Sequence, residues 1–311
     1  MANYRLERPY VVVDVFTKTQ FGGNQLAVIT DARGLTTVEM QRIAAEFNFA
    51  ETSFVLPPVD PENTAQVRIF TRAQEVPFAG HPNVGTAFVI ARERILVGAF
   101  EDGCMRFEEA AGLVEVRLVR DETGVQGATI TAPRKLEVGA LIDPAVMARC
   151  VGLDEDAILL DHHKPQSASV GLPFFIAELD LTSLSRAHAV LGAFSEAGIG
   201  QGYADASGRF SAFVYARLGE GHDRLRARMF APLSGNFEDP ATGSASAALG
   251  AYLAKLNPAP DGDFRIEIEQ GVEMGRPSEI TLDLRKSGGE VRDVKVTGLC
   301  VQVMRGVLTI D

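Results

Sequence analysis

The sequence predicts an α+β chain built from two similar domains, and three observations carry that reading. The chain has 311 residues, long for one hydrophobic core and comfortable for two. Each half runs strand, strand, helix, strands, loop, long helix, strands. The second half also echoes the first in detail. Arg68-Ile69-Phe70 returns as Arg228-Met229-Phe230, and the segment His81–Ala87 returns as Asp239–Ala245. Their shared frame is Pro, two residues, Gly, Thr or Ser, then Ala. A repeat of about 150 residues means duplicated domains rather than a solenoid.

The elements follow in order. Tyr10 to Phe16 is β-branched and aromatic, which suits a strand. Gly22-Gly23 marks a turn, and Leu26 to Thr30 reads as a second strand. Thr36 with Glu39 forms a capping box, and Met40, Ile43, Ala44 and Phe47 recur at helical spacing, so residues 37–48 are a helix. Thr52 to Leu56 is a strand stopped by Pro57-Pro58, which places Glu51 at a helix–strand junction. Val67 to Thr71 is a strand, and Val84 to Leu96 a helix, with strand-like segments near 97–107 and 112–119. In the second half, Ile158–Leu160 and Phe174–Leu179 read as strands and 182–193 as a helix. Strands near 210–217 and 224–230 precede a helix from Ala241 to Lys255. Strands near 264–270, 278–284, 293–303 and 306–310 close the chain.

Bulk properties narrow the function classes. The net charge is -11, a field that disfavours nucleic acid and anionic membrane as partners but not a small anionic substrate in a locally positive site. Three scattered cysteines, Cys104, Cys150 and Cys300, argue against a disulfide framework and fit a reducing compartment. Met1 to Pro9 lacks an apolar run, and no apolar stretch approaches a membrane span. The expected location is cytoplasmic.

Each repeated loop opens a helix. Pro suits the first helical position, which makes His81 and Asp239 the expected N-caps. First-turn amides form an anion site, so the two starts could hold a small carboxylate; equally, they could be ordinary helix starts packed closely by Gly and Ala. Glu51 follows apolar Phe47, Phe49 and Ala50. It reads either as a desolvated carboxyl suited to carry protons or as a strand-edge glutamate facing water.

The runs Gly23–Ile29, Met40–Ala44, Asn48–Val55, Arg68–Thr71, Val76–Pro82, Glu238–Ala245 and Glu269–Ser278 resemble the PhzF-like phenazine-biosynthesis family. The similarity spans essentially the whole chain. It implies a diaminopimelate-epimerase-like fold, each domain a curled, mostly antiparallel sheet around a central helix. The implied domains are 1–125 and 126–296, with strand 297–311 returning to the first. The resemblance further implies a cofactor-independent isomerase without metal, commonly a homodimer. In it Glu51 shuttles a proton between carbons of a cyclohexadiene carboxylic acid in the cleft between the domains. His81 and Asp239 assist; Gly80, Gly243 and Ser244 hold the substrate carboxylate, and Asn24 is a further contact. The related two-thiol racemases place a cysteine in each loop, and this chain has none there. Ala50 stands where the family often has Ser, so one hydroxyl contact is missing. Alternatives are a lyase, dehydratase or racemase-type enzyme on a similar acid, or a non-catalytic metabolite-binding member.

Other candidates read as structural. His162-His163 is expected to be a solvated loop pair, and His188 and His222 to be surface residues. Glu101, Asp102, Glu108 and Glu109 are expected to form a solvated acidic face. Phe16, Phe70, Phe78 and Phe230 read as core, and no G-x-G-x-x-G or Walker pattern occurs.

Overall fold

The computed structural model describes residues 6–95, 98–99, 103–219 and 223–310. The first elements are β1 (Leu6–Val15), β2 (Asn24–Ile29), α1 (Thr37–Phe47), β3 (Glu51–Leu56), β4 (Ala65–Thr71), β5 (Glu75–Val76), α2 (Gly80–Glu93), β6 (Cys104–Glu109), β7 (Gly112–Asp121) and β8 (Gly124–Thr131). Then come β9 (Glu137–Leu141), α3 (Pro144–Cys150), β10 (Ile158–Leu159), β11 (Gln166–Ser169), β12 (Pro173–Leu179), α4 (Leu181–Arg186) and α5 (Leu191–Ser195). The last are β13 (Ala212–Arg217), β14 (Arg224–Ala231), β15 (Asn236–Asp239), α6 (Gly243–Leu256), β16 (Gly262–Gln270), β17 (Ser278–Ser287) and β18 (Glu290–Ile310). They form two compact units, Met1–Thr131 with Thr297–Asp311, and Ala132–Val296.

In the first unit, β1 pairs with β18 and β2, β2 with β3, and β3 with β4. The ladder continues through β6, β7 and β8 and returns to β18. The strands therefore close on themselves, which removes the exposed edges of an open sheet. Only β2–β3 and β4–β6 are parallel in the registers described. Helix α2 is the core: every residue from His81 to Ile90 is buried. Burial on all sides is what an enclosed helix must tolerate, and its run of small and apolar residues permits it. A Cβ on Gly85 would stand 2.6 Å from Leu26 Cδ2 and 2.8 Å from Val15 Cγ2, so glycine lets α2 lie close to β1 and β2.

Helix α1 packs outside. Its capping box forms, with Glu39 N–H donating to Thr36 Oγ1 and Thr36 N–H to Glu39 Oε2. Met40 and Ala44 bury against Ile29, Phe54 and Phe70. Asn48 then takes a left-handed conformation (φ 57°) and its N–H bonds to Ala44. Asn tolerates that conformation well, and the turn redirects the chain into β3 at Glu51.

The second unit repeats the plan. Strand β12 runs parallel to β13, β13 antiparallel to β14, β14 parallel to β16, and β16 antiparallel to β17. The same succession links β2, β3, β4, β6 and β7. Short β5 pairs with β4 ahead of α2, as short β15 pairs with β14 ahead of α6. Helix α6 is again largely buried. A separate apolar cluster joins α3, Leu184, Phe194 and Phe210 to the other side of the sheet.

Several sequence expectations need correction. Helix α2 begins at Gly80, with Ala79 as its N-cap, so His81 lies in the first turn and Pro82 is the third helical residue. Helix α6 begins at Gly243 with Thr242 as N-cap, and Asp239 ends β15. Proline's missing N–H costs nothing in a first turn, where Pro82 sits, or ahead of the N-cap, where Pro240 sits, so the sequence pattern did not fix the start. The helix expected at 182–193 is two, because His188 and Val190 donate to Val151 and Cys150 carbonyls instead of continuing the helix. The last two strands are one; Gly306 is a packing site against the Tyr10 ring rather than a break. Expectations at Leu96, Glu101, Asp102 and His222 fall outside the described residues.

Candidate active site

Glu51 is the first residue of β3, paired in register with Leu26 on β2 and Thr71 on β4. Its side chain is 22% exposed, and Oε2 lies 3.6 Å from His81 Nε2. That separation exceeds a hydrogen bond but makes the two side chains neighbours. The order of the strands explains the meeting: α2 packs across β1, β2 and β3, so its first turn reaches the start of β3.

His81 is buried, and burial pushes its pKa down to about 3 despite a hydrogen bond to the backbone of Gln25. Two influences compete here. A carboxylate at 3.6 Å favours imidazolium, while burial disfavours it; burial dominates because His81 is only 6% exposed. The ring is therefore neutral at physiological pH. Its Nε2 is buried without a hydrogen-bond partner, so the bond to Gln25 falls to Nδ1. A backbone carbonyl only accepts, so Nδ1 carries the proton and Nε2 presents a lone pair beside Glu51.

Gly80 opens the same helix, whose N-cap, Ala79, makes no side-chain capping bond. The first-turn amides consequently have neither an intrahelical nor a side-chain cap acceptor. Asn24, at the start of β2, is buried and precedes Gln25. The turn before it needs glycine: Gly23 has φ +61°, and a Cβ there would strike the Val15 carbonyl oxygen. Thus Glu51, His81 and Gly80 come together, with Asn24 one residue from the strand position that holds the His81 ring.

In the second unit, Asp239, Gly243 and Ser244 lie on one loop–helix junction. Asp239 is 6% exposed. Its Oδ2 accepts from Thr242 Oγ1 at 2.6 Å and its Oδ1 from Asn236 Nδ2 at 3.4 Å. Gln270 braces the loop. Its Nε2 donates to the Asp239 carbonyl at 2.7 Å, and its Oε1 accepts from Thr242 N–H at 3.0 Å. Ser278 Oγ donates to the Pro240 carbonyl at 2.8 Å. Gly271 (φ +72°) would bring a Cβ within 2.6 Å of the same carbonyl oxygen. Helix α6 also lacks a side-chain cap, so the amides of Gly243 and Ser244 resemble those at Gly80.

The echoed motifs build matching braces. Arg68 pairs with Glu75 at 2.6 Å and lies over the Phe70 ring at 5.2 Å. Arg228 pairs with Glu238 at 2.8 Å and lies over Phe230 at 5.1 Å. Each ties the short strand before a central helix to its neighbour. Sequence reasoning marked these arginines as a repeat, and Thr242 and Gln270 as parts of family-like runs, but assigned none of them a role. A long-range side-chain bond leaves no periodic signal.

Two further expectations change. His163 is buried rather than solvated, and its Nε2 lies 2.9 Å from the Tyr215 hydroxyl, which donates to Glu178. The acidic face also divides: Glu108 accepts from Val59, Asp60 and Asn63, whereas both Glu109 carboxyl oxygens are buried. Of the cysteines, Cys150 and Cys300 are buried, and burial raises both thiols, Cys150 to about 12. A cavity of about 580 Å³ in the second unit is lined by His162, Arg217, Leu253, Phe264 and Arg265 and includes none of Glu51, His81, Asp239, Gly80, Gly243, Ser244 and Asn24.

Among the described residues, no helix is long and apolar enough to cross a membrane, and no group of three or more His, Cys, Asp or Glu is arranged to hold a metal ion.

Comparison with known proteins bears on this geometry. A family model described as phenazine biosynthesis-like protein matches residues 13–306. An uncharacterised isomerase of Mesorhizobium japonicum is 37% identical over 310 residues, covering 97% of this chain and 99% of its own. A trans-2,3-dihydro-3-hydroxyanthranilate isomerase of Pseudomonas chlororaphis is 34% identical over 304 residues, with 97% and 99% covered. The crystal structure of a Bacillus anthracis PhzF-family phenazine biosynthesis protein superposes with a TM-score of 0.84 at 25% identity, covering 98% of this chain and all of that one. A hydroxyproline epimerase from Agrobacterium vitis shares the fold, with a TM-score of 0.62 at 14% identity over 100% of this chain and 94% of that one.

Proposed function

Because the chain belongs to the phenazine biosynthesis-like family, we propose that it is a cofactor-independent isomerase in which Glu51 moves a proton between two carbons of a small carboxylic acid. The observation that carries this reading is the Glu51 carboxyl 3.6 Å from a buried, neutral His81 at an uncapped helix start. A proton shuttle needs a carboxyl that can both take and return a proton, next to a group that does not lock it as a permanent ion pair. A charged imidazolium would do that; a neutral one does not.

The steps balance without a redox partner. Glu51 carboxylate removes a proton from one substrate carbon, and the electron pair left behind delocalises through the adjoining double bond. The resulting carboxylic acid returns the same proton to a second carbon, and the double bond shifts. His81 Nε2, a lone-pair acceptor, orients a substrate N–H or O–H, while Asp239 does the same from its own loop. First-turn amides at Gly80, Gly243 and Ser244, with the Ser244 hydroxyl, bind the substrate carboxylate. That anion sits well at helix N-termini. Asn24 contributes a further polar contact. The working form is a cytoplasmic homodimer.

The test uses trans-2,3-dihydro-3-hydroxyanthranilate, the compound in the name of the Pseudomonas chlororaphis relative. Conversion to a product of unchanged mass supports an isomerase of this substrate class. A product lighter by one water indicates a dehydratase instead. A failure to turn over this acid or its close carboxylate analogues contradicts the proposed substrate class.

A further inference from the structure

His162-His163 has no part in the proposed chemistry, and the two rings differ sharply in setting. His162 is half exposed, with Nδ1 3.1 Å from the Glu178 carboxyl. His163 is buried on a line of short contacts. Its Nδ1 lies 2.9 Å from the Lys164 carbonyl and its Nε2 2.9 Å from Tyr215 Oη, which is 2.7 Å from Glu178 Oε2. Tyr215 and Glu178 are buried too. Arg217 closes the far end, with Nε donating to Glu178 Oε1 at 2.8 Å.

Three contacts in a row, from the Lys164 carbonyl to Glu178, need three protons. A carbonyl only accepts, so the first belongs on His163 Nδ1. Tyr215 Oη has one hydrogen and stands between Glu178 Oε2 and His163 Nε2, which in that neutral ring are both acceptors. A neutral imidazole, a phenol and a carboxylate bring only two protons to the line. One contact therefore sets lone pair against lone pair, and a buried polar group without its bond is costly. The other tautomer moves that clash to the Lys164 carbonyl without removing it. One added proton satisfies all three contacts at once: Nδ1–H to Lys164, Nε2–H to Tyr215, Oη–H to Glu178. Oη has two lone pairs, so it accepts from His163 even with Arg217 acting on it.

The added proton has two possible homes, His163 and Glu178, and Arg217 decides between them. Burial works against the Glu178 charge, but the Arg217 guanidinium and the Tyr215 hydroxyl outweigh it and hold the carboxyl below its ordinary value. The proton therefore belongs on the imidazole. We propose that His163, Tyr215 and Glu178 form a proton-binding site, in which His163 takes up one proton and completes a hydrogen-bond chain from the Lys164 carbonyl to Arg217.

Burial pushes the His163 ring below its ordinary value of 6.5; the bond to Lys164 and the Glu178 charge oppose it, and Arg217 and His162 reinforce it. The proton therefore goes on as pH falls below 6.5. Among the described residues, the titratable and charged groups facing the ring are Glu178 on β12, Tyr215 and Arg217 on β13, Tyr252 on α6, and adjoining His162. Lys164, on the other side in the chain, is exposed. Arg217 and His162 also line the cavity of about 580 Å³, so the bound proton adds one positive charge close to its wall.

The experiment follows the side-chain nitrogens of His163 by magnetic resonance in the full chain labelled with ¹⁵N-histidine, with far-ultraviolet circular dichroism reporting the fold at each pH. The signal is assigned by its loss in His163→Gln. At mildly alkaline pH the ring should be neutral, with the proton on Nδ1 and a bare Nε2. As pH falls, both nitrogens should reach imidazolium positions, with a midpoint below 6.5 and before the fold is lost. Tyr215→Phe keeps the ring and removes the hydroxyl that accepts from Nε2–H. Its midpoint should fall by about one pH unit or more, the worth of one hydrogen bond to a charged group. A ring protonated on Nε2 alone at alkaline pH, or still neutral when the fold is lost, overturns the proposal. So does a midpoint unchanged in Tyr215→Phe. The native titration decides the matter even where that variant does not fold. None of these readouts needs a substrate, so they succeed or fail separately from the isomerase reading.

Discussion

Glu51 Oε2 lies 3.6 Å from His81 Nε2, and the histidine beside that carboxyl is neutral because it is buried. The pair is thus a carboxyl next to a neutral imidazole, not a salt bridge. A pH dependence of stability follows. The folded-state pKa of His81 is depressed from 6.5 to about 3, so the unfolded chain binds the proton first as pH falls. The stability in question is fully present above pH 6.5 and is lost progressively toward pH 3. His81→Gln should flatten that part of the acid limb in urea unfolding measured across this range.

The two arginine braces look alike but should differ in strength. Arg228 and Glu238 side chains are 7% and 18% exposed, and Arg228 Nη1 also donates to the Leu184 and Ala187 carbonyls. Arg68 and Glu75 are 24% and 33% exposed. Removing one partner of a buried pair strands the other, so Arg228→Met should cost roughly 3–5 kcal/mol. Arg68→Met, in a solvated setting, should cost about 1 kcal/mol or less. Chemical denaturation of the two variants checks the ranking.

Gln270→Leu should unbrace the Asp239 loop while keeping the side chain's bulk. The change leaves the buried Asp239 carbonyl and the Thr242 N–H without their partner. Each unsatisfied group costs about 1–3 kcal/mol. Part of that cost should appear as a drop of tenfold or more in kcat if the loop must hold Asp239 still, since about 1.4 kcal/mol in a barrier is a factor of ten. Steady-state kinetics beside a melting curve separates the two effects.

The Cys150 and Cys300 thiols should take no part in turnover. Cys150 and Cys300 are buried, with thiols raised well above neutrality. Neither can supply a thiolate base at neutral pH. Alkylation with iodoacetamide under native conditions should leave turnover unchanged, and loss of activity in proportion to labelling would contradict this.

What the sequence made legible was local or repeated. The Thr36–Glu39 capping box and the 37–47 helix are set by neighbours within one turn. The duplicated plan was visible because two copies of one motif sit before two buried helices. The helix starts were misplaced by up to four residues, since proline fits a first-turn position, as Pro82 does, and equally a position ahead of the N-cap, as Pro240 does. His163 was misread as solvated because its partner, Tyr215, is distant in sequence, and the burial of the Glu109 carboxyl leaves no local signal. Glu51 stood between two readings for the same reason: its surroundings come from α2 and β2, not from its own segment.

Solvent isotope labelling with native protein and Glu51→Gln tests the central claim most directly. The enzyme is supplied with trans-2,3-dihydro-3-hydroxyanthranilate in deuterium oxide, and deuterium at product carbon is followed by mass and magnetic resonance. If Glu51 shuttles the proton, native product acquires deuterium at the newly saturated carbon to the extent that the Glu51 proton exchanges with solvent. Glu51→Gln, still folded and still binding the acid, then loses turnover by at least about a thousandfold, in line with removal of an essential proton-transfer group. Native-like turnover and labelling in Glu51→Gln would contradict the account.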